Sequence, residues 1–268
     1  MLPPVSKPLV VPDLNFLQSR PANKEYLSAK VFWLWPMRIF QEVADKNSQA
    51  EDYMKKLFRI LRLNYQRVGV AAHAETLTRI ELEQKRDVKM RDLIDYRMTQ
   101  IVGMAAEADD YESFTTTLCE TTNQHLNLGH NLFWSLLKIS CDTPLETPIP
   151  SRFMDDLDIA RKYISDETSW AYFMTVTRHF SRHTADDMPS LSDLNPNHSH
   201  LLGMAKCMHY IRTKIEKRGL VEKDLNDYDD LQYAIYASYT GHIATSDKGL
   251  TRMIRVCFPS TQFYDKAA

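Results

Sequence analysis

Two aspartates near opposite ends of the chain each follow a short apolar run. In LVVPDLNFL, Asp13 comes after the run Pro8–Pro12, and in HIATSDKGL, Asp247 comes just after His242–Thr245. Short apolar runs between breaking residues are typical of buried strands, and open parallel sheets bind ligands at the carboxyl ends of their strands. Hard cations such as Mg²⁺ want several oxygen ligands, so one carboxylate alone would bind poorly. The pattern therefore predicts a divalent-metal site if the two chain ends meet in one sheet.

The segment that precedes Asp247 contributes more carboxylates. Its sequence, NDYDDLQYAIYASYTGHIATSDKGL, predicts an acidic helix start, an apolar helix, a glycine turn and a short strand. Asp227, Asp229 and Asp230 lie in the acidic start of that helix. A helix that leads into a strand and then into an aspartate is an arrangement typical of a site at a sheet edge.

Both segments resemble the motifs of PIN-domain nucleases. The resemblance rests on Asp13-Leu14-Asn15 after a strand, and on a closing pattern of DxxxAxxA, a glycine, a strand and TxD. The closing pattern is matched at Asp230, Ala234, Ala237, Gly241, Thr245 and Asp247. Counting from Asp229 would put the alanines and the glycine one place too far along, so the register favours Asp230.

PIN domains also carry a glutamate on the helix that follows the second strand. Here the strand candidate Lys30–Trp35 leads into MRIFQEVADK, whose single glutamate is Glu42. Glu42 lies one place later after the proline than the family pattern expects, and Asp45, one turn along the same helix, is an outside candidate. The matching segments cover residues 8–46 and 222–265.

The resemblance implies metal-assisted hydrolysis of phosphodiesters. One or two Mg²⁺ or Mn²⁺ ions would activate a water and neutralise charge on the phosphate. The implied metal ligands and catalytic residues are Asp13, Glu42, Asp230 and Asp247. The residues implied to orient carboxylates or water, or to add negative field, are Asn15, Asp227, Asp229, Thr245 and Ser246. Since they directly follow Asp247, Lys248, Arg252 and Arg255 are the expected contacts to substrate phosphates.

The family resemblance also sets expectations about substrates and partners. It favours an endoribonuclease that cuts RNA, as a toxin-like or defence effector would, with a protein inhibitor or a helical partner as a further expectation. A second hypothesis is a catalytically weak PIN-like scaffold whose helical region binds a protein. A third is an all-helical interaction protein, which would require all the strand candidates to be helix or coil.

The expected fold is α/β, a small parallel PIN-like, Rossmannoid sheet with a large, mainly helical insertion. Only 7 glycines occur in the 268 residues, and the middle of the chain is rich in helix-favouring residues. Residues 1–46 and 222–268 would form the core, and residues 47–221 the insertion together with the remaining core elements. The helical patterns run over Gln49–Val68, with Tyr53 on the inward face, Leu77–Ala108, Tyr111–Ile139 and Asp155–Ser181.

Composition places limits on partners and location. The 33 Lys and Arg residues against 35 Asp and Glu give a net charge of -2, so nucleic-acid binding needs a local basic patch. The 4 cysteines are scattered, with no CxxC pair, and no secretory leader or membrane-length apolar segment occurs in the sequence. We therefore expect a cytoplasmic protein that does not insert into membranes.

Each candidate carboxylate also has a simpler interpretation. Acidic residues in a first turn, such as Asp227, Asp229 and Asp230, stabilise a helix dipole without any metal. Asp247 fits the N-cap of the next helix, and Asp13 fits an Asx-turn. Glutamates such as Glu42 are most often solvated helix residues. Only the joint occurrence of these residues at strand ends, in family order, favours a metal site.

Overall fold

One parallel sheet of five strands forms the centre of the molecule. The computed structural model describes residues 7–19, 27–44, 50–116, 140–145, 147–180, 188–219 and 227–264. The strands are β1 (Leu9–Pro12), β2 (Phe32–Trp35), β3 (Val68–Val70), β4 (His242–Ala244) and β5 (Gln262–Phe263). They pair in the order β3-β2-β1-β4-β5, and every pair is parallel. The predicted α/β class is therefore confirmed.

Strand β1 lies beside β4, so the two ends of the chain meet as the sequence predicts. Val11 is in register with Ile243, and Pro12 with Ala244. The three predicted strands are confirmed with shorter bounds, while β3 and β5 were not predicted. Strand β3, Val-Gly-Val, begins inside the helical pattern Gln49–Val68 and has no breaking residue directly before or after it, and β5 has only two residues.

Helices connect and cover the strands. Their bounds are α1 Leu14–Gln18, α2 Arg38–Ala44, α3 Ala50–Asn64, α4 Ala74–Leu82, α5 Tyr96–Glu107, α6 Leu157–Tyr163, α7 Asp166–Phe180, α8 His200–Arg218, α9 Asp227–Thr240 and α10 Lys248–Cys257. Within the described ranges, no helix combines the length and apolar character that crossing a lipid bilayer requires.

The single helix predicted over Leu77–Ala108 is wrong, because the chain there covers the open edge of β3. Ala71 bridges Ile94 in an antiparallel pair, the Ala72 N–H donates to the Leu93 carbonyl at 2.8 Å, and the Asp95 N–H donates to the Val70 carbonyl at 2.9 Å. These bonds satisfy backbone groups that an edge strand would otherwise expose. The pattern is therefore split into α4 and α5.

Two other helical predictions also need correction. The pattern over Asp155–Ser181 forms α6 and α7, since Ser165 accepts the Thr168 N–H at 3.2 Å and begins a new helix. Gln49–Val68 ends as a helix at Asn64 and passes through a 3₁₀ turn into β3. Most of Tyr111–Ile139 lies outside the described residues.

The chain order reverses between β1 and β4, which makes this point a topological switch. Strands β1, β2 and β3 extend to one side of β1, and β4 and β5 to the other. Because parallel crossovers are right-handed, the helices of the two halves cover opposite faces of the sheet. Accordingly α1, α2 and α5 pack with α3, while α8 and α10 pack with α9. The crevice beyond the carboxyl ends of β1 and β4 is the expected ligand position in such a sheet.

The range predicted as an insertion contributes to the same core as the chain ends. One continuous cluster of buried side chains joins Val10 and Trp33 in the sheet to Leu57 of α3 and Ile211 of α8. Strand β3 itself comes from within residues 47–221. These residues therefore supply core elements of the sheet as well as additional helices.

Candidate functional site

A polar cleft of about 600 Å³ opens at the switch point between β1 and β4. Its walls come from α1, the first turn of α3 and the segment that joins β4 to α10. The lining residues are Asn15, Gln18, Ser19, Tyr53, Ser246, Asp247, Lys248 and Gly249. Four of the predicted site residues, Asn15, Ser246, Asp247 and Lys248, are therefore brought into one cavity.

Asp13 lies beneath this cleft, where it ties β1 to β4. Its side chain is 2% exposed, and its backbone N–H donates to the Ala244 carbonyl at 3.0 Å. Oδ1 accepts the Phe16 N–H at 2.6 Å, which caps α1, and Oδ2 accepts the Thr245 hydroxyl. Asp13 therefore serves as the N-cap of α1, where the sequence suggested an Asx-turn, and both of its oxygens already carry a hydrogen bond.

Thr245 connects Asp13 to Asp247. Its hydroxyl donates to Asp13 and accepts the Asp247 N–H at 2.9 Å. Asp247 is the N-cap of α10, and its Oδ1 accepts the Leu250 N–H at 2.9 Å. The TxD spacing therefore has a direct structural cause: the threonine holds the backbone of the aspartate against the end of β1.

Asp230 reaches the same place from α9. A methyl group added to Gly249 would lie 3.1 Å from Asp247 Oδ1 and 3.7 Å from Asp230 Oδ2. Because both oxygens lie so near one point, the two carboxylates converge across the backbone of Gly249. The register that favours Asp230 is consistent with this position, and the side chain of Asp229 lies outside the described part of the structure.

Glu42 is held by a buried tyrosine. Its Oε1 accepts the hydroxyl of Tyr233 at 2.7 Å, and Tyr233 is 2% exposed on α9, three residues after Asp230. The bond fixes Glu42 to the helix that carries Asp230, so its carboxylate is anchored rather than simply solvated. Asp45, the outside candidate on the same helix pattern, lies outside the described residues.

Asp227 has a partner that the sequence motif did not indicate. Lys214 of α8 donates from Nζ to both of its carboxylate oxygens at 2.8 Å, and both side chains are largely buried. This ion pair joins α8 to the start of α9. Asp227 therefore stabilises the position of the helix that carries Asp230.

The three predicted phosphate contacts line a second cavity, of about 240 Å³, next to the first. Lys248, Arg252 and Arg255 lie there with Thr251 and Leu157. The Nη2 of Arg252 donates to the Phe153 carbonyl at 2.8 Å, and the guanidinium of Arg255 lies 5.4 Å from the centroid of the Phe263 ring. These contacts hold the two arginines on one side of α10. Together with Lys248 they form a local basic patch of the kind that nucleic-acid binding by a net-negative chain would require.

The fit of this site to a divalent ion rests on two carboxylates. Among the described side chains, no group of three or more Asp, Glu, His or Cys residues is close enough to share a metal ion. Mg²⁺ keeps several waters and is commonly bound by one or two carboxylates plus substrate phosphates. Asp230 and Asp247, whose carboxylates both lie beside Gly249, suit that water-rich mode rather than a cage built from protein ligands alone.

Two residues of the cleft were not recognised as functional from the sequence. Gly249 differs from its neighbours only by lacking a side chain, and Tyr53 has the helical spacing of a core residue. Local sequence gives no signal for either, since their importance depends on what faces them. Comparisons of the chain with protein-family models, curated proteins and solved structures found no match.

Proposed function

We propose that this protein is a metal-dependent, PIN-like nuclease that hydrolyses phosphodiester bonds, with RNA as its substrate. The observation that carries the proposal is the convergence of Asp230 and Asp247 over Gly249, at the carboxyl ends of β1 and β4. The neighbouring basic cavity supports it, because a phosphate near these carboxylates would lie close to Lys248.

Mg²⁺ or Mn²⁺, when bound, supplies the Lewis acidity that activates a water and stabilises charge on the phosphate. Asp230 and Asp247 would hold the ion, and substrate oxygens and waters would complete its shell. Thr245 keeps Asp247 in place, and Lys248, Arg252 and Arg255 neutralise the backbone of the bound strand. Asp13 and Glu42 belong to this proposal as flanking carboxylates, each already positioned by a hydrogen bond.

One observation favours the alternative of a catalytically weak PIN-like scaffold. Asp13 uses both oxygens in hydrogen bonds to Phe16 and Thr245, so it serves the fold whether or not an ion binds. In that case the helices of residues 47–221 would bind a protein partner, and the carboxylates would be structural. A cognate inhibitor and a toxin-like or defence role remain part of the nuclease proposal.

Asp247→Asn is the test that separates these two functions. Asparagine caps a helix as well as aspartate does, so α10 should stay folded while the metal loses a charged ligand. Loss of even an outer partner of a metal ligand costs roughly 10- to 100-fold, so we expect Mn²⁺-dependent cleavage of labelled single-stranded RNA to fall by at least about 100-fold.

The matched control is Asp95→Asn. Asp95 is also a helix N-cap, its Oδ1 accepts the Met98 N–H at 2.9 Å, and it lies on α5 away from the cleft. The control should cleave like the unmodified protein, with a similar thermal midpoint. Equal cleavage by Asp247→Asn and Asp95→Asn, or no Mn²⁺-dependent cleavage by the unmodified protein, would favour the scaffold.

A further inference from the structure

Tyr53 lines the same cleft as Asp247 and Lys248. It lies in the first turn of α3, is partly buried, and is the aromatic side chain among the described lining residues. Its neighbours Asn15, Gln18 and Ser19 on α1 carry amide and hydroxyl groups. This end of the cleft therefore offers a ring and several amide and hydroxyl groups, and Lys56 of α3 donates from Nζ to the Gln18 carbonyl beside them.

The opposite end of the cleft has different chemistry. Lys248 lines both cavities, so the cavity that contains Arg252 and Arg255 adjoins the first at this residue. Beyond Lys248 the charged groups of the second cavity are the two guanidinium groups, which lie on one side of α10. The described lining residues are thus aromatic or uncharged beside α1 and α3, acidic at Asp247 and basic along α10.

A single-stranded polynucleotide has matching features, because each nucleotide carries a base that can stack and a phosphate that carries charge. Aromatic platforms combined with a basic groove are the usual means of binding single strands. A duplex keeps its bases stacked on one another and offers none to a side chain in a cleft. The cleft therefore favours an extended single strand over a helix.

We propose that Tyr53 is the base-stacking residue of this groove. The strand would place a nucleobase against Tyr53 on one side of the scissile phosphate and its backbone phosphates against Arg252 and Arg255 on the other. This inference rests on the proposed nuclease function and adds to it a specificity-determining residue.

Binding without cleavage tests the inference separately from catalysis. The full-length Asp247→Asn protein is titrated into a fluorescein-labelled single-stranded RNA in EDTA, and the affinity is measured by anisotropy. Stacking of a base on an aromatic side chain increases affinity by a factor of about ten. Tyr53→Ala, introduced into the Asp247→Asn protein, should therefore raise Kd about tenfold, and Tyr53→Phe in the same background should raise it less than about twofold. Tyr96→Ala is the matched control, because Tyr96 is a 40% exposed tyrosine on α5, and it should not change Kd.

Two further arms identify the interaction. An RNA with an abasic residue at the stacking position should bind the Asp247→Asn protein about tenfold more weakly, and should bind the variant with added Tyr53→Ala without further loss. Arg255→Gln should reduce the dependence of log Kd on log salt concentration by about one, whereas Tyr53→Ala should leave that slope unchanged.

The outcomes distinguish the stacking role of Tyr53 from the proposed nuclease function. If Asp247→Asn binds single-stranded RNA and added Tyr53→Ala binds equally well, or if duplex RNA binds as tightly as the single strand, the stacking role is overturned while the nuclease proposal stands. If no RNA binds, and the unmodified protein does not cleave RNA with Mn²⁺, both fail. A tenfold loss confined to Tyr53→Ala and to the abasic strand supports the inference.

Discussion

Gly249 is the residue beside which the carboxylates of Asp230 and Asp247 lie. It occupies the second position of α10, where its backbone needs no special conformation, so alanine would be the better helix residue. A methyl group here would nevertheless project between Asp247 Oδ1 and Asp230 Oδ2. Helix propensity therefore favours alanine at this position, whereas the proposed metal site favours glycine.

Gly249→Ala should therefore weaken metal binding without unfolding the protein. The gain in helix propensity, about 0.5–1 kcal/mol, is offset by the small shift that Asp247 Oδ1 must make, so the free energy of unfolding should change by less than about 1 kcal/mol. The added methyl group should raise the Mn²⁺ dissociation constant, measured by isothermal titration calorimetry, by about tenfold.

Gly103→Ala provides the comparison for this substitution. Gly103 lies within α5, and a methyl group there would meet no atom within 4 Å. This variant should show the gain in unfolding free energy and an unchanged Mn²⁺ affinity. If Gly249→Ala leaves the Mn²⁺ affinity unchanged, as is expected for Gly103→Ala, no ion binds between Asp230 and Asp247.

At the scale of elements, helix α8 fixes the position of the site although none of its residues lines the cleft. It packs against α9 and α10, which carry Asp230 and Asp247. Its first turn is held by Glu81 of α4, whose Oε1 accepts the His200 N–H at 2.7 Å and whose Oε2 accepts the Leu201 N–H at 2.8 Å. Burial raises the pKa of Glu81, and these backbone bonds counteract part of that rise.

Glu81→Gln should destabilise the protein. An amide can offer only one oxygen to two backbone N–H groups, and its own NH₂ would face a donor at a buried helix N-terminus. We expect the free energy of unfolding to fall by about 1–3 kcal/mol in urea titrations. Glu83→Gln, at an exposed position two residues further along the chain, should have little effect on the free energy of unfolding. Equal midpoints for Glu81→Gln and the unmodified protein would show that α8 does not depend on this anchor.

The element scale also shows where sequence reasoning failed. Strand β3 and the break between α4 and α5 belong together, because the chain at Leu93–Asp95 is drawn out of helix by backbone bonds to the edge of β3. The helix-favouring composition of Leu77–Ala108 is a local property. Backbone pairing with β3, a strand that the sequence pattern did not reveal, overrides that helix preference. The strands that frame the site were predictable because they are apolar and flanked by breaking residues.

At the scale of the whole molecule, two buried histidines make stability depend on pH. His200 and His209 both lie in α8, and burial lowers the pKa of each from 6.5 to about 4. His209 stacks between Tyr163 and Tyr172, with Nδ1 3.1 Å from the Ser169 hydroxyl. The unfolded chain can protonate these rings below pH 6.5, whereas the folded protein resists protonation down to about pH 4.

Neutral His209 should therefore make its full contribution to the free energy of unfolding above pH 6.5. That contribution should be lost as the pH falls from 6.5 towards 4. At pH 5 the loss from one such histidine is about 2 kcal/mol. His209→Gln should reduce the difference in unfolding free energy between pH 7 and pH 5 by about that amount, as measured by urea titration at each pH. His198→Gln, at an exposed position, should keep the full difference. A pH dependence that His209→Gln leaves intact would assign it to other groups.

The sequence by itself determined the local parts of this protein. It indicated the strands before Asp13 and Asp247, the helix that carries Asp230, and the capping role of Asp247, because each follows from residues only a few positions apart. Contacts across the whole chain decided the rest. Asp13 and Thr245 are 232 residues apart and Glu42 and Tyr233 are 191 apart, yet each pair shares a hydrogen bond.

Such contacts depend on the order of the strands, which brings β1 beside β4 and places a cleft beyond their carboxyl ends. Only that packing brings the carboxylates of Asp230 and Asp247 together at Gly249, makes Tyr53 part of the cleft wall, and pairs Asp227 with Lys214. Local sequence specifies the backbone of the strands and helices that frame the site, whereas pairing with β3 decides it at Leu93–Asp95. Tertiary structure also decides which side chains share a small volume, because that requires every intervening element to be in place.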